Sequence, residues 1–344
     1  MTTGARGVSG QGKWSAVVRT AAILTGTVLL AGAAGCAAAS PQSAAAAQAR
    51  NASGRGTVNS TTDHAARRAV AQAHDTAACN PAASSLRPAP GPPQVTPGSF
   101  MAKILARGYL IAGVSQSTYN FGYFDPLTGQ TKGFDIDMIH AVAQAIFGNP
   151  NKVEFRGITD DQREPDIRNG SVDIVAETMT ILCSRLKKVD FSSVYFEANT
   201  RVLVLKNSTA TGLASLGGQK VCATAGSDSA GIISSYPVTP RLVLVKAPQF
   251  TDCLVLLQQG QVAAVSTDDA ILAGLHAQDP FTKGVGPLLA PQPYGLAIAQ
   301  QHRDFVRFVN AVLAQDEADG GWAASYVRWV GSPAPNPPAA QYAD

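Results

Sequence analysis

Short apolar strands alternate with amphipathic helical stretches along this chain, and the alternation runs through once, stops, and starts again. Residues 109–114 read as a buried strand, 152–156 as another, and 172–176 as a third. Between them, 135–147 places Ile136, Ile139, Val142, Ala143 and Ile146 at helical spacing and stops at Gly148, and 162–169 gives a shorter helix. After the apolar run 201–206 the pattern restarts with strands at 220–223, 241–245 and 262–266 and helices at 230–236, around Cys253, Leu254 and Leu257, and at 269–275. Two amphipathic stretches, around Phe305 to Val312 and Trp322 to Val327, follow. Such alternation predicts two α/β units with largely parallel sheets, whose ligand crevices lie beyond the carboxyl ends of the strands.

One such strand end carries unusual chemistry. The strand at 172–176 opens into a polar turn with Thr178, Thr180, Ser184 and Arg185, and a second strand begins at Val189. A guanidinium bonds a carboxylate through two parallel N–H groups and keeps its proton, while hydroxyls and backbone amides take the remaining lone pairs. The turn therefore suits a small carboxylate. The plainer alternative is a solvated basic face made by Arg185, Lys187 and Lys188.

Read with GFDIDM at 133–138, FRGITDDQREPDIRNGSVDIV at 155–175 and VSTDDAIL at 265–272, the turn resembles the amino-acid-binding proteins of polar amino-acid ABC importers. Within that family, the family 3 extracellular solute-binding proteins, it looks closest to glutamate-, aspartate- and glutamine-binding lipoproteins of actinobacteria. The resemblance implies a two-lobed α/β fold of the periplasmic-binding-protein type II, with a two-strand hinge that closes around the ligand. Lobe 1 would comprise 99–199 plus 294–332, and lobe 2, inserted in it, 200–293. It also implies a ligand set. Arg185 and Thr180, helped by backbone N–H near Thr178, would take the α-carboxylate, and Asp268 the ammonium. Arg163 would meet a side-chain carboxylate and so argue for glutamate or aspartate, with glutamine or asparagine as the other choice. Ser227 and Thr224, in a loop that opens a helix, Ser115, and Tyr119 over the aliphatic part complete the set. Several have plainer readings: Asp268 and Ser227 as helix N-caps, Arg163 as part of an exposed helix, and Tyr119 as packing. Asp228 departs from the family pattern, which suggests either a solvent-facing carboxylate or a pocket that disfavours acidic ligands.

Ahead of these units, Arg6, Lys13 and Arg19 precede an apolar run at 21–35, too short for a span of roughly 20 residues but suited to a secretory leader. Ala33, Ala34, Gly35 and Cys36 resemble a lipobox, so a leader over 1–35 would leave Cys36 lipidated on the outer face of the cytoplasmic membrane. Residues 36–98, rich in Ala, Ser, Pro and Gly, read as a disordered tether, and 333–344 as a frayed tail. With Cys36 set aside, four of the five cysteines remain for two disulfides, with three possible pairings. The resemblance implies Cys222 with Cys253, which leaves Cys79 with Cys183, a bond that would pin the last part of the tether against the core.

Function classes can also be set aside. The formal net charge is +3 and the basic residues are scattered, so nothing asks for nucleic acid. No C-x-x-C pair or H-E-x-x-H is present, and no metal or cofactor is expected. Ser184 to Lys187 fit S-x-x-K, but S-D-N and K-T-G are missing. The expectation is a monomeric binder, not an enzyme, that meets a free amino acid and an ABC permease. The alternatives are a sensor working through a membrane partner and a dehydratase-like enzyme using Glu177 as its acid.

Overall fold

The computed structural model describes residues 79–344. The leader, Cys36 and most of the tether expected from the sequence lie outside the described residues. A 3-10 turn at Pro81–Ala83 is followed in order by α1 (Phe100–Arg107), β1 (Leu110–Val114), β2 (Ser117–Thr118), β3 (Gly122–Asp125), β4 (Gln130–Lys132), α2 (Phe134–Phe147), β5 (Val153–Gly157), α3 (Arg163–Asn169), β6 (Ile174–Ala176) and β7 (Asp190–Phe191). Then come β8 (Phe196–Leu205), β9 (Lys220–Thr224), α4 (Asp228–Ser235), β10 (Val243–Ala247), α5 (Phe250–Gln258), β11 (Ala264–Asp268), α6 (Asp269–Gln278), β12 (Thr282–Val285), β13 (Pro291–Tyr294), β14 (Ala297–Ile298), α7 (Arg303–Ala318) and α8 (Gly321–Trp329).

The strands form two principal sheets, ordered β5-β1-β6-β14-β7 and β10-β9-β11-β8-β12. Strands β1, β5 and β6 run parallel, as do β9, β10 and β11. Every residue of β1 and of β11 is buried, the pattern of strands covered by helices on both faces. In the first lobe, one face packs Ile136, Ile139 and Val142 of α2 with Phe305, Val309 and Trp322, and the other packs Ile167, Met179, Val189 and Phe191. The second lobe packs Leu216, Ile232, Ile233 and Tyr236 on one face and Phe250, Leu254, Leu257 and Leu272 on the other. Burying one such side chain contributes about 1.5–3 kcal/mol. Helix α2 ends where the sequence places its stop, at Gly148 with φ 65°.

The backbone passes between the sheets along β8 and β13, which pair antiparallel from Asn199 opposite Pro291 to Phe196 opposite Tyr294. These are the two strands of the hinge. Among the described residues there are two disulfides, Cys222–Cys253 joining β9 to α5 and Cys79–Cys183 on the turn that follows β6.

Two chain ends depart from expectation. Composition predicts a tether through 79–98 and a frayed end over 333–344, yet Ser85 forms a β-bridge with Tyr342 and Leu86 is buried. Buried Asn310 donates to Ser85 Oγ and Leu86 O, and Asp344 pairs with Arg307. Composition misses this because the bonds that fix Ser85 and Leu86 come from residues more than 200 positions away, on segments too short to fold alone.

Candidate functional site

A polar cleft lies between the lobes, lined by Asp160, Arg163, Thr178, Thr180 and Arg185 from the first, Ser227, Asp228, Ser229, Phe250, Thr267, Asp268 and Ile271 from the second, and Gln292 from the hinge. Its closed volume is about 10 Å³, roughly what the centre of one water needs. Admission of anything larger requires the lobes to part.

The first wall is built on a strained turn. Thr178 has φ 42°, a conformation uncommon for a β-branched residue. Its amide donates to Asp135 Oδ2 (2.8 Å), while Tyr195 Oη donates to Asp135 Oδ1 (2.7 Å). Thr178's own N–H is therefore already committed, so an amide offered to a carboxylate near it has to come from a neighbouring residue. Asp135 is fully buried, and burial raises its pKa to about 6 against the lowering pull of these bonds. Beside the turn, the Arg185 guanidinium is buried and donates to Thr180 O (2.7 Å) and, across the cleft, to Gly226 O (3.0 Å). Burial, then the like charge of Arg163, lowers its pKa to about 10. The basic-face alternative holds for Lys188, which reaches Glu164, and fails for Arg185.

Arg163 is buried rather than on an exposed helix, and its own lobe occupies it. Its Nε donates to Asp160 O (3.0 Å), Nη1 donates to Glu177 O (3.0 Å), and Nη1 lies 3.2 Å from Asp160 Oδ1. Nη2 reaches Gly226 O at 3.4 Å. Glu177, the acid an enzyme would need, sits behind it and is absent from the cleft wall. Glu177 Oε2 has no hydrogen-bond partner among the described residues, and burial holds the carboxyl well above its usual range.

On the second wall, Asp268 ends β11 without capping α6. Its neighbour Asp269 bonds the Asn199 and Ala270 amides, so the paired acids divide the work. Asp268 accepts from Tyr294 Oη at 2.8 Å and from Thr200 Oγ1 at 3.5 Å, and burial raises its pKa to about 7. Ser227 both lines the cleft and caps α4 through the Ala230 amide, so the two readings of it coexist. Asp228 points into the cleft rather than to solvent.

The structure thus brings Arg185, Thr180, Thr178, Arg163, Asp268 and Ser227 to one cleft and leaves Thr224, Ser115 and Tyr119 off its wall. The Thr224 hydroxyl crosses to Asp160, Ser115 Oγ bonds the Thr118 hydroxyl and the Ser117 and Thr118 amides, and Tyr119 is 38% exposed with its ring near Tyr123. Asp160, Phe250 and Gln292 escape a reading of the sequence. Asp160 stands in the DDQREP run but carries no signal beyond charge; Phe250 and Gln292 reach the cleft through tertiary placement alone.

Gly226 lets the walls meet. It has φ +81°, and a Cβ there would lie 2.7 Å from the Asp161 backbone. Gly274 likewise abuts the Tyr119 carbonyl, and Ser117 Oγ donates to Gln249 Oε1 (2.6 Å).

Residues 110–332 match the bacterial extracellular solute-binding proteins, family 3. The ABC transporter glutamine-binding protein GlnH of Bacillus subtilis is 33% identical over 231 residues, 67% of this chain and 84% of its own length. A glutamine-binding protein of Geobacillus stearothermophilus is 36% identical over 208 residues, 60% of this chain and 79% of its own. Among solved structures, an ancestral arginine-binding protein bound to glutamine aligns with a TM-score of 0.61 at 33% identity, over 66% of this chain and 99% of its own.

Proposed function

Because the chain belongs to family 3 of the bacterial extracellular solute-binding proteins, we propose that it captures a free polar amino acid, glutamine first, and presents it to the permease of an ABC importer by closing its lobes. The observation that carries this is the placement of Arg185 and Asp268 on opposite walls of one cleft. A zwitterion needs both a cation and an anion, and one supplied by each lobe makes the ligand the bridge between them. On entry, the α-carboxylate takes the place of Gly226 O on Arg185, beside Thr180, whose hydroxyl stays on Gln292 Oε1. The ammonium pairs with Asp268. Phe250 and Ile271 give the aliphatic stem an apolar surface.

Glutamine is preferred over glutamate on charge. Arg163, the expected partner of a side-chain carboxylate, is occupied by Asp160 and the Glu177 carbonyl. Asp160, Asp228 and Asp268 already set three carboxylates against two guanidiniums on the wall. A further negative charge would be repelled, whereas a neutral amide can donate to those acids. The relatives named for glutamine agree with this choice.

The protein acts as a monomeric binder without catalysis, with lobe 1 over 99–199 plus 294–332 and lobe 2 over 200–293. It works outside the cell, held to the membrane by lipid on Cys36. Calorimetric titration of the full chain against the twenty amino acids is the test. Micromolar or tighter glutamine binding, worth about 8 kcal/mol or more, is expected, with glutamate weaker. Glutamate binding more tightly would overturn the ligand choice, and no binding at all the capture role.

A further inference from the structure

Gln292 sits in hinge strand β13, opposite Ala198 of β8, and is 1% exposed. Its side-chain amide touches three separate parts of the molecule. Oε1 accepts from the Thr180 hydroxyl, on the first-lobe turn. Nε2 donates to Thr200 Oγ1 (2.9 Å) in hinge strand β8 and to Asp228 Oδ2 (2.8 Å) at the start of second-lobe helix α4.

The chemistry fixes the direction of every bond. An ionised carboxylate only accepts, so the nitrogen must face Asp228 and the carbonyl must face Thr180. The Thr180 hydroxyl must then donate. The Thr200 hydroxyl, receiving from Nε2, keeps its own proton for Asp268 Oδ1, 3.5 Å away. A directed relay therefore runs Thr180, Gln292, Thr200, Asp268, from the carboxylate side of the cleft to its ammonium side through the hinge.

We infer that Gln292 is a positioning residue that latches the closed cleft, holding Thr180 of one lobe and Asp228 of the other on a single amide. The inference deepens the amino-acid-capture reading and rests on it for the identity of the ligand, though the latch itself is a property of the lobes. It also accounts for Asp228, the departure from the family pattern, whose carboxylate is the second-lobe half of the latch. A hydrogen bond from buried Gln292 to a part-buried charged group is strong enough to shift a two-state balance between open and closed lobes.

The test uses the full chain with donor and acceptor dyes attached at exposed positions 127 and 281, one on each lobe, to read the closed fraction, together with glutamine titration. Gln292→Glu sets a carboxylate against Asp228, so the closed fraction should fall and glutamine should bind about 10- to 100-fold more weakly. Asp228→Asn alone, whose amide can turn its oxygen to Gln292, should lose a few-fold at most. When Gln292→Glu and Asp228→Asn are combined, the amide introduced at position 228 can donate to the carboxylate introduced at position 292. Both readouts should then return to within about threefold of the wild type. Should Gln292→Glu fail to fold, Gln292→Met removes the amide at similar size, and adding Asp228→Asn should then have no further effect on closure.

Losses in the closed fraction that simply multiply, with no recovery in the double variant and an undiminished Asp228→Asn effect in the Gln292→Met background, would overturn the latch. Recovery of closure in a protein that binds no amino acid would uphold the latch and overturn the capture reading. Tight glutamine binding with multiplying losses would do the reverse.

Discussion

The two walls of the cleft are built on different principles. The first-lobe wall is braced from within: Asp135 holds the Thr178 amide, Arg163 is held by Asp160 and the Glu177 carbonyl, and Arg185 rests on Thr180 O. The second-lobe wall hangs on the hinge, since Asp268 takes its bonds from Tyr294 in β13 and Thr200 in β8. The difference separates recognition from closure. A braced wall keeps its donors aimed whether or not the lobes meet, whereas the hung wall is reset by each hinge movement.

That contrast can be broken most severely at Arg163. Arg163→Ala leaves buried Asp160 without its cation and the Glu177 carbonyl without its donor, and the expected loss is about 3–5 kcal/mol of folding stability, read by denaturant unfolding. A loss confined to ligand binding would show that Arg163 faces the ligand and not its own lobe. Arg185→Ala should do the opposite, weakening glutamine binding about 100-fold or more while unfolding moves little. Equal binding losses from the two variants would erase the distinction between brace and ligand partner. Gly226→Ala should weaken binding about tenfold, because a left-handed non-glycine residue costs roughly 1–2 kcal/mol and its methyl meets the Asp161 backbone. An unaltered affinity would mean the walls need not approach so closely.

The gentlest probe is pH. Burial raises Asp135 to about 6 and Asp268 to about 7, so the folded protein holds these protons more tightly than the unfolded chain does. Their contribution to stability is largest below the unfolded value and is lost as pH rises from about 4 to about 7. Ligand binding runs the other way. An ammonium pairs with ionised Asp268, so binding expels a proton below about pH 7, and glutamine affinity should rise with pH by at most about tenfold per unit before levelling near that value. Titrations between about pH 5 and 8 in buffers of different ionisation heat check both the slope and the proton release. A flat profile would remove Asp268 as the ammonium's partner.

Much of this is legible in the sequence because strand and helix periodicities report burial, and burial is what the two sheets share. The polar turn after β6 is legible too, since hydroxyls and a guanidinium just past an apolar strand have few other uses. What escapes are facts of closure. Thr224 resembles a ligand residue by its place at a strand end, yet its hydroxyl is taken by Asp160, 64 positions away. Asp135 stands in the GFDIDM motif and reads locally as the start of a helix, while its work is done on Thr178, 43 positions on. Gln292, between two prolines, offers no periodicity at all. Partners this distant leave no local trace, and the tertiary fold alone names them.

Cys79 is bonded to Cys183, two positions before Arg185. Any tug on the polypeptide upstream of that bond is therefore delivered to the half carrying the guanidiniums, close to the hinge, and not to the half that swings. Were the chain held ahead of Cys79, one half would stay parked and the other would remain at liberty to open and shut like a jaw.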